Sequence, residues 1–223
     1  MKILNNEEIF SIIKGKKVAV IGNSPSLKNS NKGDFIDTHD VVIRFNEGPL
    51  YYEDDTNSFG KKCSVWATNG WSAEQERTLS TDKHEKLIKE KNPYILGTRP
   101  IRNDNNQHLT KGLQMRGPIF DLLKSLDVKY IDTPQEIFNL PILEGNFNLS
   151  SGAAVIMLLL HFEPENLSLL GFNFFDHNKP THFWDNKKFM YTKDMKENNI
   201  GHNGDFEKQL ITSLAESFNI NIN

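Results

Sequence analysis

The sequence has one cysteine in 223 residues, Cys63. No internal disulfide can form, and the chain suits a reducing compartment. Cys63 reads as a small buried residue on a strand rather than as a reactive thiol. An excess of positive charge is also missing. The 26 basic residues against 29 acidic ones give −3, which argues against a general nucleic-acid binder. The longest apolar run, 153–160, is far short of a membrane span. The segment Met1-Lys-Ile-Leu-Asn-Asn-Glu-Glu8 has no signal-peptide hydrophobic region. The expectation is a soluble, cytoplasmic protein, with contact at a membrane surface left open. Repeats, low-complexity linkers and breaks in composition are absent, so 1–223 reads as a single domain. The glycine spacing of a dinucleotide fingerprint and the lysine of a P-loop are missing too.

What the chain does have is Val18-Ala-Val-Ile-Gly-Asn-Ser-Pro-Ser-Leu27. Four apolar residues form a short buried strand, and small turn-forming residues follow it. A strand that stops on Gly22, Asn23 and Ser24 is how an open α/β sheet offers backbone N–H groups to a phosphate or nucleotide at its carboxyl edge. An ordinary strand-to-helix turn would have the same composition. A second apolar strand spans 40–46 and ends on Asn46. A third spans 62–68 and ends on Asn69 and Gly70. Strands ending on polar residues or glycine in this rhythm suggest a parallel sheet.

Between and after these strands, Asn5 or Asn6 caps a short helix that ends at Gly15. Residues 51–60 read as an acidic loop, and a long polar helix is expected from Ser72 to about Glu90. A short strand is expected at 94–96, a mobile loop at 98–111, a helix at 113–126, a strand at 128–131 and a helical turn at 134–138. The stretch Asn148-Leu-Ser-Ser-Gly-Ala-Ala-Val-Ile-Met-Leu-Leu-Leu-His161 is a helix capped by Ser150 or Ser151. It is apolar all round and therefore buried. Its free N–H groups and positive dipole end face whatever lies above them. A strand at 167–170, a helix from about Asp205 and an edge strand through Ile220 and Ile222 complete the reading. The aromatic cluster Phe172, Phe174 and Phe175 reads as core.

In a parallel sheet Asn23, Ser24, Asn46, Asn69, Ser150, Ser151 and Gly152 gather at one edge, and they suit a ribose, base edge and phosphate. His182 and His202 add chemistry. His202 lies just before a helix start, a position that favours the neutral imidazole a general base needs. His39, His84, His108 and His161 read as structural or surface residues. His177, His182 and His202 with Asp176, Asp185 and Asp205 could be metal ligands. Their spacing matches no compact zinc pattern, and no Asp-x-Asp occurs, so no metal is expected.

Four stretches in order resemble the sialylmotifs of glycosyltransferase family 29, the animal-type sialyltransferases. Val18-Ala-Val-Ile-Gly-Asn-Ser24 through Val42-Ile-Arg-Phe-Asn46 is similar to the large motif. Leu149-Ser-Ser-Gly152 through Leu170-Gly-Phe172 is similar to the small motif, His182-Phe-Trp-Asp185 to motif III, and His202 with Glu207 to the very small motif. The wording Gly-Asn-x-Pro-Ser-Leu-Lys28 and Gly60-Lys-Lys-Cys63 also resembles the bacterial sialyltransferases of family 42.

The resemblance implies a single α/β/α sandwich of a modified GT-A type with a Rossmann-like sheet. It implies inverting, metal-independent transfer from CMP-sialic acid to a glycan hydroxyl, with no cofactor. Asn23 and Asn46 would hold the nucleotide, and Ser150, Ser151 and Gly152 the donor's phosphate, carboxylate or ribose. His182 would stabilise the departing phosphate and His202 would be the base. Glu207 would tune His202 or cap the last helix, the second being slightly favoured. The partners would be a CMP-sugar donor and a lipo-oligosaccharide or capsule-like acceptor at the inner face of a bacterial membrane. The paired cysteines of the animal motifs stand here as Val18 and Glu163, and Ser26 replaces a second asparagine. A related donor such as CMP-Kdo, a non-catalytic nucleotide-binding module and a structural partner in a polysaccharide assembly are the other readings.

Overall fold

A computed structural model describes residues 1–70, 81–101, 115, 117–134, 137, 149–174, 182–183 and 204–222. Within them one eight-stranded sheet runs in the order β1-β6-β5-β4-β3-β2-β7-β8, and every pairing is parallel. The strands are β1 (Lys2–Ile3), β2 (Lys17–Ile21), β3 (Val41–Phe45), β4 (Val65–Thr68), β5 (Tyr94–Gly97), β6 (Lys129–Ile131), β7 (Asn166–Leu170) and β8 (Ile220–Ile222). Only β1 was not anticipated; it is two residues long, too short to carry an alternation signal. The helices are α1 (Asn6–Ile13), α2 (Gly33–Asp37), α3 (Gly48–Tyr51), α4 (Thr56–Phe59), α5 (Asp82–Lys91), α6 (Pro118–Ser125), α7 (Ser151–His161) and α8 (Gly204–Ser217).

The strands read as nearly continuous apolar runs because both faces are covered. Val18 and Val20 of β2, with Val41, Ile43, Val65, Leu96 and Leu169, pack under Ile9 and Ile13 of α1, Val155 and Leu159 of α7, and Ile211 of α8. Ala19, Ile21 and Val42 point the other way, to Ile36 of α2 and Phe59 of α4. On that same face Trp66, Ile95 and Tyr130 pack against Leu87 of α5 and Ile119 and Leu123 of α6. The period-2 alternation therefore divides each strand between two helical layers, and the result is an α/β/α sandwich.

From β2 the chain steps outward through β3, β4, β5 and β6, then returns to the other side of β2 as β7. Right-handed crossovers require the helices of the two directions to lie on opposite faces. The connections after β2 and β7 therefore leave the sheet on opposite sides, and a crevice opens between their carboxyl ends.

Local chemistry explains most boundaries. Asn5 caps α1 in a capping box with Glu8, and Ser150 caps α7 by accepting from the Ala153 N–H at 3.1 Å. Two expectations are revised. Residues 51–60 are not an open loop. They hold the end of α3, a 3-10 turn (Tyr52–Asp55) and α4. Asp55 caps α4 at the Ser58 N–H, and Tyr52 and Phe59 are both buried at 1% exposure. The acidic composition concealed two buried aromatic rings. The helix expected at 113–126 begins at Pro118, because Gly117 with φ 101° cannot continue a helix and proline fits the first helical position. The helix expected from Ser72 is described only as α5, and 71–80 lie outside the described residues. So do 102–111 of the expected loop and most of the turn at 134–138, where Ile137 N donates to Pro134 O at 3.2 Å. Among the described residues no helix is long and apolar enough to cross a membrane.

Candidate active site

The cleft lies at the crevice between β2 and β7. It encloses about 210 Å³ and is lined by Gly22, Asn23, Ser24, Phe45, Asn46, Asn69, Arg99, Ser150, Ser151, Gly152, Gly171, Phe172, Asn173, Phe174, His182 and Glu207. Every donor-binding residue anticipated from sequence is in this lining, as are His182 and Glu207. His202 lies outside the described residues, as do Asp176, His177, Asp185 and Phe175.

The floor is two backbone turns in close contact. Gly22 N donates to Leu170 O at 2.7 Å and Ser24 N to Gly171 O at 2.9 Å. Gly171 has φ 71°, and a Cβ there would come within 2.7 Å of Gly22 O. A Cβ on Gly22 would in turn collide with Gly171 O. Glycine is required on both sides so that the two strand ends can approach.

The walls are polar. Asn23 Nδ2 donates to Phe45 O at 3.2 Å. Asn46, in the left-handed region at φ 46°, accepts from Trp66 Nε1 at 2.7 Å through its carbonyl, and its Oδ1 faces Asn69 N at 3.4 Å. The αL conformation, which asparagine tolerates, turns the chain at the end of β3. Ser24 is buried, with its Oγ accepting from Ser26 N at 3.2 Å.

Opposite stands the N-terminus of α7. The Ser151 and Gly152 N–H groups precede the first possible intrahelical acceptor, so they face the cleft with the positive end of the dipole. Gly152 lets Phe172 lie against the helix start, since a Cβ there would be 2.7 Å from the ring. Ser151 Oγ is 3.0 Å from Thr98 Oγ1, which ties the helix to the end of β5. Ser150 acts differently from the expectation. Its Oγ and N are both engaged by Glu207, at 2.6 Å each, so Ser150 shapes the helix start rather than offering free groups.

Glu207 lies in the first turn of its own helix, α8, and its carboxylate is engaged by Ser150 of the neighbouring helix start. It is 3% exposed and reaches across from α8 to α7. Burial raises its pKa, against the Ser150 hydrogen bonds and the Arg99 charge, which lower it. Arg99 donates to Leu149 O at 2.9 Å and to Thr98 O at 2.7 Å, and burial pushes it down to about 10 while Glu207 pulls it up. The sequence reading missed Arg99, which sits in a stretch read as loop. Its only signal was its place directly after the strand end at 94–97. Phe172 and Phe174 pack against the core as read, and they also line the cleft. Among the described residues no three histidine, cysteine, aspartate or glutamate side chains gather as a metal site.

Sheet order and crevice define a doubly wound α/β protein with its cleft at the topological switch point. The chain belongs to glycosyltransferase family 29, the sialyltransferase family, whose family model matches residues 4–218. Among curated relatives, the human type 2 lactosamine alpha-2,3-sialyltransferase is 49% identical over 41 residues, 18% of this chain and 12% of that one. The chicken CMP-N-acetylneuraminate-beta-galactosamide-alpha-2,3-sialyltransferase 1 is 38% identical over 66 residues, 23% of this chain and 19% of that one. The alignments thus span under a fifth of the length of these relatives. A mammalian sialyltransferase structure has the same fold, with a TM-score of 0.58 at 20% identity, over 97% of this chain and 76% of that one. The sialyltransferase CstII from Campylobacter jejuni, solved with cytidine-5′-monophosphate, gives 0.54 at 19% identity, over 94% and 80%.

Proposed function

We propose that this protein transfers sialic acid from CMP-sialic acid to a hydroxyl of a glycan acceptor, with inversion and without a metal, on a modified GT-A scaffold. One observation carries the reading. Residues from all four motif-like stretches line a single cleft at the switch point: Asn23 and Asn46, Ser151 and Gly152, His182, and Glu207. Supporting it are the family membership and relatives described as sialyltransferases.

In this reading Asn23 and Asn46 hold the nucleotide. The amides at the start of α7 take the donor phosphate or carboxylate, since a helix N-terminus stabilises an anion without a bound cation. The acceptor oxygen attacks the anomeric carbon from the face opposite CMP. Its proton passes to His202, the C–O bond to phosphate breaks, and CMP leaves as an anion beside His182. Glu207 acts through Ser150 and the helix start. We further propose a cytoplasmic setting at the inner membrane face of a bacterium, with a lipo-oligosaccharide or capsule-like acceptor. A chain whose one cysteine is buried has no disulfide to lose there.

The test is CMP release from CMP-sialic acid and from CMP-Kdo, with and without lactosamine and Gal-β1-3GalNAc. Acceptor-dependent release from CMP-sialic acid and a sialylated product are expected. Turnover of CMP-Kdo alone would reassign the donor. Tight CMP binding with no release from either donor would make the protein a nucleotide-binding module.

A further inference from the structure

The residue that follows His182 is held against the body of the protein. Phe183 N donates to Asn23 O at 2.9 Å. The Phe183 ring lies on Phe59, with centroids 4.3 Å apart and planes at 33°, against the apolar cluster of Ile21, Leu27, Ile36 and Tyr52. Phe59 is 1% exposed and has little room to move. Its carbonyl accepts from the Arg44 guanidinium, which also donates to Lys62 O at 2.8 Å and lies 4.1 Å over Tyr52. Asp37 fixes the far side of the same turn by accepting from Lys61 N at 2.8 Å and Lys62 N at 2.9 Å. A rigid path therefore runs from the middle of β3, through the turn after α4, to the residue beside His182.

We infer that the stacked pair Phe59 and Phe183 is the seat that sets His182 at the cleft, so that both phenylalanines are positioning residues for the step His182 serves. A ring contact and one backbone bond fix the peptide on the C-terminal side of His182. The bonded carbonyl belongs to Asn23, itself part of the cleft floor. The imidazole and the nucleotide-facing asparagine are thereby held in one frame. This rests on the proposed sialyl transfer only for the identity of the step.

The experiment uses Phe183→Leu and Phe183→Tyr in the parent protein, and Phe183→Leu in a His182→Ala background. Phe183 is only half-buried, so its variants should fold; Phe59→Leu is a second probe where its melting temperature permits. Losing the ring should lower kcat about 10- to 100-fold, the scale expected for misplacing a reacting group by about 1 Å. KM for the donor should change by less than about threefold, because ground-state binding is kept. Phe183→Tyr, which keeps the ring, should restore most of the rate. In the His182→Ala background Phe183→Leu should cost nothing further. An equal loss there, or an unchanged kcat in the folded variant, would overturn the inference. Absence of transfer by the parent would instead sink the proposed reaction. The seat is then still decided by the ¹⁵N-histidine spectrum. The signal lost in His182→Ala must shift in Phe183→Leu, while that of His39, held on Ser168 at 2.9 Å, stays in place. An unmoved His182 signal overturns the proposal.

Discussion

Glu207 grips Ser150 with both carboxylate oxygens, across 57 residues of chain and between two helices. The last helix thereby sets the start of the buried helix whose first amides face the cleft. Removing the carboxylate leaves the Ser150 N–H without its acceptor and Arg99 without its nearby charge. Breaking one side of a buried charged cluster costs about 3–5 kcal/mol. Glu207→Ala should therefore unfold at clearly lower urea than the parent, with Glu207→Gln in between. Equal midpoints for parent and Glu207→Ala would remove the assigned role.

The two cleft glycines should behave differently. A methyl group on Gly22 meets the Gly171 carbonyl, which is backbone on the neighbouring strand end and cannot give way. Gly22→Ala should lose several kcal/mol, in the range of overpacked or strained core sites. On Gly152 the methyl meets the edge of Phe172 at 2.7 Å, and a ring can shift. Gly152→Ala should stay folded within about 1–2 kcal/mol but bind CMP more weakly, because the ring moves into the cleft. Denaturant midpoints with CMP titration calorimetry check both; the reverse order of stability contradicts the geometry.

Asp132, just past β6, is pushed up to about 6 by burial, opposed by the Ile101 and Thr133 N–H groups. In the unfolded chain its pKa is about 3.9. The folded state thus holds the proton more tightly. The stability from this difference is fully present below about pH 4 and is lost as pH rises to about 6 and just beyond. Asp132→Asn keeps the acceptor for Ile101 and removes the titration. Its melting temperature should exceed the parent's at pH 7 and fall less between pH 4 and 7. Parallel curves for the two proteins would contradict this.

The two histidines should separate by step. Removing a general base typically costs about 100- to 10,000-fold. His202→Ala should lose kcat with little change in CMP affinity, and a donor with a better leaving group should not rescue it. His182→Ala should lose rate and be partly rescued by that donor. Rescue of His202→Ala alone means the roles are exchanged.

Chelation should leave turnover intact. The sequence has no Asp-x-Asp, and the proposed leaving-group stabiliser is an imidazole with helix amides. Transfer measured in EDTA should match the untreated rate. Loss on chelation with rescue by manganese or magnesium reverses the assignment.

What the sequence determined by itself was local. The capping residues Asn5 and Ser150, the buried strands ending on Gly22, Asn46 and Asn69, and the all-apolar helix at 151–161 depend on neighbours within a few positions, so periodicity and end chemistry reveal them. Strand order, and with it the crevice between β2 and β7, came only from the tertiary structure, because pairing Gly22 with Gly171 joins positions far apart in the chain. The same holds for Arg99 and Glu207. A charge in a polar stretch looks solvated, and only the packing of α7 against α8 takes it out of water and turns it into part of a cleft wall. Tyr52 and Phe59 tell the same story in reverse. Their acidic neighbours signalled a loop, and the burial of two rings on the sheet outweighed that signal, since apolar area removed from water counts for more than the composition of a short segment.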